Sequence, residues 1–215
     1  MNVLQKLLDG KIIAIVRGIP TSAICDTARA LLAGGINAME VTFDQRSKEG
    51  LAETAASIKA VKEQLGDEIL LGAGTVMTPE QVQIAYDCGA KYIISPDTNT
   101  SVIKKTKELG MVSIPGAFTP SEIAVAYAAG ADIVKLFPAG LMGPEYFKAV
   151  LAPLSHMPVS AVGGINENNA ASFFKAGVCS VGVGGNLINA KAILAGDFSM
   201  TTQTAQKLVE AVKGL

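Results

Sequence analysis

Lysine is among the side chains least often buried. Yet Lys135 stands in the middle of an otherwise apolar run, residues 133–137 of ADIVKLFPAG. Two roles suit a primary amine in that place. One is structural: an ion pair inside the fold, for which Glu40 is the partner the pattern offers. The other is chemical. An amine desolvated among Val134, Leu136 and Phe137 has a lowered pKa and a share of free base at neutral pH, and a free amine attacks a ketone to form an imine. The two roles are compatible, because an ion pair in the empty protein can become the reacting pair.

Glu40, within NAMEVTF at 37–43, follows the same logic. The chain has a single histidine, His156, in APLSHMPVSAVGG just before a strand-like run. It reads as a loop residue. Multi-histidine metal sites are excluded by that count, and a carboxylate becomes the obvious proton shuttle, so Glu40 is the candidate general acid and base. Its structural alternative is to neutralise Lys135 or Arg17. Arg17 ends the run KIIAIVRGIP. It belongs either to a surface turn or to a site where it grips a carboxylate or phosphate through two parallel hydrogen bonds.

Two glycine pairs complete the set: Gly163-Gly164 in AVGGIN (161–166) and Gly184-Gly185 in GVGGNL (182–187). Glycines after a strand expose backbone N–H groups, and helix starts favour anions. The first pair is expected to lead into a helix at Asn166 and the second into a further turn. A phosphate cradle is one reading; tight turns that need glycine for conformation alone are the other.

The elements that must position these groups are legible as alternation. Strand-like runs lie at 11–16, 37–43, 68–73, 91–95, 111–114, 132–137, 159–163 and 180–184, with helical patterns between them. Thr21 or Ser22 is expected to cap one helix, with Gly34-Gly35 at its end. TPEQVQIAYDCG and TPSEIAVAYAAG share a threonine cap, a proline in the first turn, an acid and a closing glycine. Eight strands alternating with helices predict one (β/α)8 barrel, a TIM barrel of the α/β class, spanning residues 1–215 as a single domain. Extra helices are expected at 2–9 and about 201–213. A doubly wound open sheet is disfavoured, since no dinucleotide fingerprint follows the first strand. Catalytic groups of such barrels sit at the carboxyl ends of the strands. Period-two alternation puts Arg17, Glu40, Thr42 and Lys135 on faces which, if they point inward, converge there.

Composition sets the outer limits. Of 215 residues, 49% are hydrophobic and 17% charged, enough for a large core. The net charge of −1 gives no field for nucleic acid. Three scattered cysteines, Cys25, Cys88 and Cys179, suit a reducing compartment rather than a disulfide framework. No run is long enough to span a membrane, and MNVLQKLLDGK reads as an amphipathic helix rather than a signal peptide. A soluble cytoplasmic protein is the expectation.

These residues carry a resemblance. AIVRG, GGINAMEVTF, GAGTV, ISPD, IPGAFTPSE, VKLFPA, GPEYFKA, AVGGI and VGVGGNL fall in the order, and at about the spacing, of the 2-keto-3-deoxy-6-phosphogluconate aldolases. These are class I aldolases of the (β/α)8 fold, grouped with the 4-hydroxy-2-oxoglutarate aldolases. The resemblance runs from about residue 4 to about 213. It implies that Lys135 is the Schiff-base lysine and Glu40 the acid/base. Arg17, Thr75, Pro96 and Phe137 would line the pyruvate end, and Gly163, Gly164, Gly184 and Gly185 would hold the phosphate. The implied reaction cleaves a phosphorylated 2-keto-3-deoxy sugar acid to pyruvate and glyceraldehyde 3-phosphate. A shorter implied substrate, 4-hydroxy-2-oxoglutarate, would give pyruvate and glyoxylate. The family needs no metal or other cofactor and typically forms homotrimers.

Two positions depart from the gluconate-type pattern. Asp44 stands where some members have arginine; Arg46 comes two residues late, and Arg17 is the candidate replacement. Many gluconate-type members have threonine before Gly163-Gly164; here the residue is Val162, a form that resembles the galactonate-type aldolases. A valine cannot read a substrate hydroxyl, so gluconate against galactonate stereochemistry stays open. Competing readings are another phosphate-binding barrel, such as a thiamin-phosphate synthase or an indole-pathway isomerase, or a phosphosugar-binding protein without catalysis.

Overall fold

The computed structural model describes residues 2–215. The chain runs α1 (Val3–Gly10), β1 (Ile12–Val16), α2 (Thr21–Ala33), β2 (Ala38–Thr42), α3 (Lys48–Leu65), β3 (Leu70–Gly74), α4 (Pro79–Asp87), β4 (Tyr92–Ile94) and α5 (Thr100–Glu108). It continues with β5 (Val112–Ile114), β6 (Gly116–Ala117), α6 (Pro120–Ala128), β7 (Val134–Leu136), α7 (Ala139–Leu154), β8 (Val159–Val162), α8 (Ala170–Lys175), β9 (Ser180–Val183), α9 (Ala190–Leu194) and α10 (Ser199–Ala211). The strands form one parallel sheet in the order β5-β4-β3-β2-β1-β9-β8-β7-β6.

Its two outermost strands, β5 and β6, are consecutive in the chain. The sheet is therefore the expected barrel, with its fifth stave broken at Pro115. Proline has no N–H for the ladder. The half before Pro115 pairs with β4 and the half after it with β7. Bonds from Asp132 and Ile133 N–H to the Ser113 carbonyl, and from Lys135 N–H to the Pro115 carbonyl, close the wall.

Two apolar layers hold it. Outward residues such as Met39, Val41, Leu71, Ile93 and Val181 pack under the helices. Inward residues Ile13, Ala38, Tyr92, Ile94, Val112, Ile114 and Ile133 fill the lower barrel, and Leu7 of α1 seals its floor. The polar groups of interest lie above this filling. The helix grammar read from the sequence holds for α4 and α6: Thr78 accepts from Gln81 N–H, and Thr119 with Glu122 forms a reciprocal capping box. It fails for α2. Neither Thr21 nor Ser22 caps it; the cap position is Pro20, and the Thr21 hydroxyl instead meets Ser57 of α3 at 2.7 Å. No helix among the described residues is long and apolar enough to cross a membrane.

Candidate active site

Lys135 lies in the centre of β7, with its backbone between Gly116 and Ser160. These small neighbours leave room around a long side chain. The residue is 8% exposed. Its Nζ stands 5.1 Å from the centroid of the Phe137 ring, two residues along the same face. Burial pulls the amine below the ordinary lysine value; the Arg17 charge adds to that pull and Glu40 opposes it. An amine whose charge is disfavoured by burial, facing the barrel mouth, is a candidate nucleophile.

Glu40 lies on β2 between Ile15 and Gly72 and is 2% exposed. A side chain at Gly74 would run into its carboxylate, so that glycine clears the space the acid occupies. Among the described residues Oε2 has no hydrogen-bond partner. Burial pushes Glu40 up to about 7, outweighing the attraction of Lys135 and Arg17. That is the range in which one carboxyl group can both take and return a proton. The ion pair offered as the structural role of Lys135 does not form. The salt bridges among the described residues lie elsewhere, and the two groups act on each other through space. Each stays desolvated and incompletely partnered, which is costly in a core without a task.

Arg17, just past β1, donates from Nη2 to Thr75 Oγ1 at 2.9 Å. Thr75 follows β3 and has φ +55, a left-handed conformation that a β-branched residue rarely adopts. What holds it there was not read from the sequence. Gln45 Nε2 donates to the Thr75 carbonyl at 2.6 Å, and Gln45 and Gln81 exchange amide hydrogen bonds at 2.8 and 3.2 Å. Gln81 is anchored in turn by the Met77 N–H at 2.8 Å. The only available signal was position: Gln45 follows the end of β2, and Gln81 lies in the first turn of α4. Arg46 is turned away from this group. Its Nε and Nη2 grip Asp44 at 2.8 and 2.6 Å, and those bonds hold the Asp44 carboxyl down at about 2. Pro96 closes the adjacent wall, and its carbonyl occupies the place a side chain at Gly116 would take. Thr42 is buried on the Glu40 face, opposite Gly74.

The glycine loops meet on the far side. Gly163 and Gly164 have φ +92 and +74. A Cβ on Gly163 would stand 3.0 Å from the Phe137 ring, and one on Gly164 would stand 3.1 Å from Gly140 Cα. The start of α7 is therefore a third wall, tied by Gly140 N–H to the Gly163 carbonyl at 2.7 Å. Asn186 Nδ2 bonds the Ile165 carbonyl at 2.8 Å and joins the two loops. Among the described residues the N–H groups of Gly164, Gly185 and Asn186 have no acceptor. The expected helix at Asn166 begins only at Ala170, after a turn, and α9 begins at Ala190. Loop amides rather than helix starts face this space. His156 is elsewhere, edge-on to Tyr127 before β8 at the amino ends of the strands.

The family model described as KDPG and KHG aldolase matches residues 3–204. The chain is 34% identical over 203 residues, 94% of each chain, to the 2-dehydro-3-deoxy-6-phosphogalactonate aldolase of Escherichia coli K12. It is 37% identical over 186 residues to the 2-dehydro-3-deoxy-phosphogluconate aldolase of Treponema pallidum, covering 86% of this chain and 85% of that one. Among solved structures, KDPG aldolase from Legionella pneumophila, with pyruvate captured as a covalent carbinolamine, superposes with a TM-score of 0.86 at 25% identity. That match covers 97% of this chain and 98% of the other.

Proposed function

The chain belongs to the KDPG and KHG aldolase family, and we propose that it cleaves a 2-keto-3-deoxy-6-phospho sugar acid through an imine on Lys135. The observation that carries this reading is the pair of desolvated groups at the barrel mouth: an amine with lowered basicity and a carboxyl group poised near neutrality.

The Lys135 amine adds to the C2 ketone, and loss of water gives the iminium. Glu40 takes the C4 hydroxyl proton as the C3–C4 bond breaks, and the bonding pair passes into the iminium to leave an enamine. Glyceraldehyde 3-phosphate departs. Glu40 returns its proton to C3, and water hydrolyses the imine to pyruvate and free Lys135. Arg17, held by Thr75, binds the substrate carboxylate beside the ketone; Pro96 and Phe137 line the pyruvate end. Gly163, Gly164, Gly184 and Gly185 receive the phosphate on backbone amides, without a basic side chain in either loop. Val162 presents only methyl groups to the space above Gly182, so both the galactonate and gluconate epimers belong in the assay, with 4-hydroxy-2-oxoglutarate as the short substrate.

A homotrimer in the cytoplasm is the proposed working form. Free thiols at Cys25, Cys88 and Cys179, and the exposed Phe118, Val125 and Tyr127 around α6, support it. Borohydride reduction with pyruvate, followed by peptide mass spectrometry, tests the chemistry. A reduced pyruvate adduct on Lys135 is expected; an unmodified Lys135 overturns the imine reading.

A further inference from the structure

Tyr92 is a buried titratable group that the reaction above does not use. It is 0% exposed, and among the described residues its hydroxyl has no hydrogen-bond partner. A tyrosine buried in an apolar layer usually finds a partner for its O–H. The strand register shows where this one is aimed. Glu40, Gly72 and Tyr92 are successive partners across β2, β3 and β4. A Cβ on Gly72 would collide with Cδ2, Cε2 and Cζ of the Tyr92 ring. The ring therefore lies across Gly72 toward β2, and its side chain is longer than the ~4.8 Å between neighbouring strands. The Glu40 carboxylate, for its part, leans over Gly74. Two glycines of β3 thus make room for two groups on one face, a phenol over Gly72 and a carboxylate over Gly74. Among the described residues, Oε2 of Glu40 is another buried atom without a partner.

We propose that Tyr92 is a positioning residue for Glu40: its hydroxyl donates from below toward Oε2, through one bridging water, and leaves Oε1 turned to the reacting atoms. This role rests on the aldolase reading for its meaning but not for its geometry. Three groups then face the carboxyl group: Lys135 from β7, Arg17 from the end of β1, and Tyr92 from β4. Glu40 is the one charged neighbour felt by the phenol, which burial and that charge hold well above its ordinary value. The phenol is therefore a donor at every working pH. A donor to Oε2 favours the charged carboxylate, so removing it must raise the pH at which Glu40 ionises.

Tyr92→Phe tests this, since it removes one oxygen and keeps the ring. The Glu40 carboxyl is titrated by 13C NMR of glutamate-labelled protein, with Glu40→Gln to assign the signal; this needs no turnover. In the variant the midpoint should move up by about one pH unit, the scale of one charge-assisted hydrogen bond. The acidic limb of kcat for pyruvate release should move with it, while KM changes little. An unmoved midpoint, or one that moves down, overturns the role. A wild-type protein that releases no pyruvate while the midpoint still moves overturns the aldolase reading and leaves the Tyr92–Glu40 contact standing.

Discussion

Replacing Glu40 by glutamine should make the protein more stable, and only above a defined pH. Glutamine keeps the shape of the acid and removes its charge. In the folded chain the carboxyl group ionises at about 7 instead of its ordinary 4.5, because burial outweighs the pull of Lys135 and Arg17. The folded state therefore holds a proton that the unfolded state releases, and stability falls as pH rises between those two values. At roughly 1.4 kcal/mol per pH unit the loss amounts to about 3 kcal/mol, complete above pH ~7 and absent below pH ~4.5. The attraction of the two cations is already contained in that figure. For a chain of this size, 3 kcal/mol corresponds to about 6–12 °C in Tm. Urea unfolding of wild type and Glu40→Gln, followed by circular dichroism from pH 4 to pH 8.5, reads the difference directly. The curves should coincide near pH 4 and separate by about 3 kcal/mol near pH 8, with unchanged m values. The same variant should lose about 10²–10⁴-fold in kcat. A gap that is equal at all pH values, or a wild type that is the more stable at pH 8, refutes the idea that Glu40 is held against a desolvation cost.

Lys135→Ala should abolish pyruvate release and leave the circular dichroism spectrum unchanged, since alanine removes a buried cation as well as a nucleophile; pyruvate is followed with coupled lactate dehydrogenase. Gly164→Val places a branched side chain at φ +74 against Gly140, and should raise KM for the phosphorylated substrate at least tenfold more than for 4-hydroxy-2-oxoglutarate. Steady-state kinetics with equal losses on both would remove the phosphate from that loop. Gln45→Ala frees the Thr75 carbonyl and should weaken pyruvate binding about 5- to 30-fold, the scale of one or two kcal/mol. Measured as the pyruvate concentration that half-saturates borohydride trapping, an unchanged value would show that Thr75 and Arg17 hold themselves in place.

The inward set was legible because a strand has a period of two: once 133–137 and 37–43 are strands, Lys135 and Glu40 must share faces with Phe137 and Thr42. The barrel was legible because strands and helices alternated without interruption. What escaped depended on contacts between distant segments. Nothing local to Gln45 says that its amide reaches the Thr75 carbonyl thirty positions on. Thr21 is a good cap by type, but Ser57 of the neighbouring helix competes for its hydroxyl. The helix expected at Asn166 starts only at Ala170, because an Asn-rich turn, bonded by Asn169 to the Gly164 carbonyl, intervenes. The sequence pairs Lys135 and Glu40 by sign, whereas the distance between them depends on how far each strand sits around the wall. Tyr92 lies in the strand-like run 91–95, and only its register with Gly72 reveals where its oxygen goes.

The broken fifth stave also bears on edge-to-edge pairing between sheets. A parallel sheet that stops being continuous ordinarily offers two edges, each a template for a foreign strand. Here the edges are the two halves of one stave, and they close on the same neighbour segment. Ser113 and Pro115 both offer their carbonyls to residues 132–135. The residue at the joint is buried and brings no N–H of its own, so the discontinuity strands no donor away from water. Any other amino acid at position 115 would add one. A gap in the ladder is thus made without an adhesive edge, and it sits next to the backbone of Lys135.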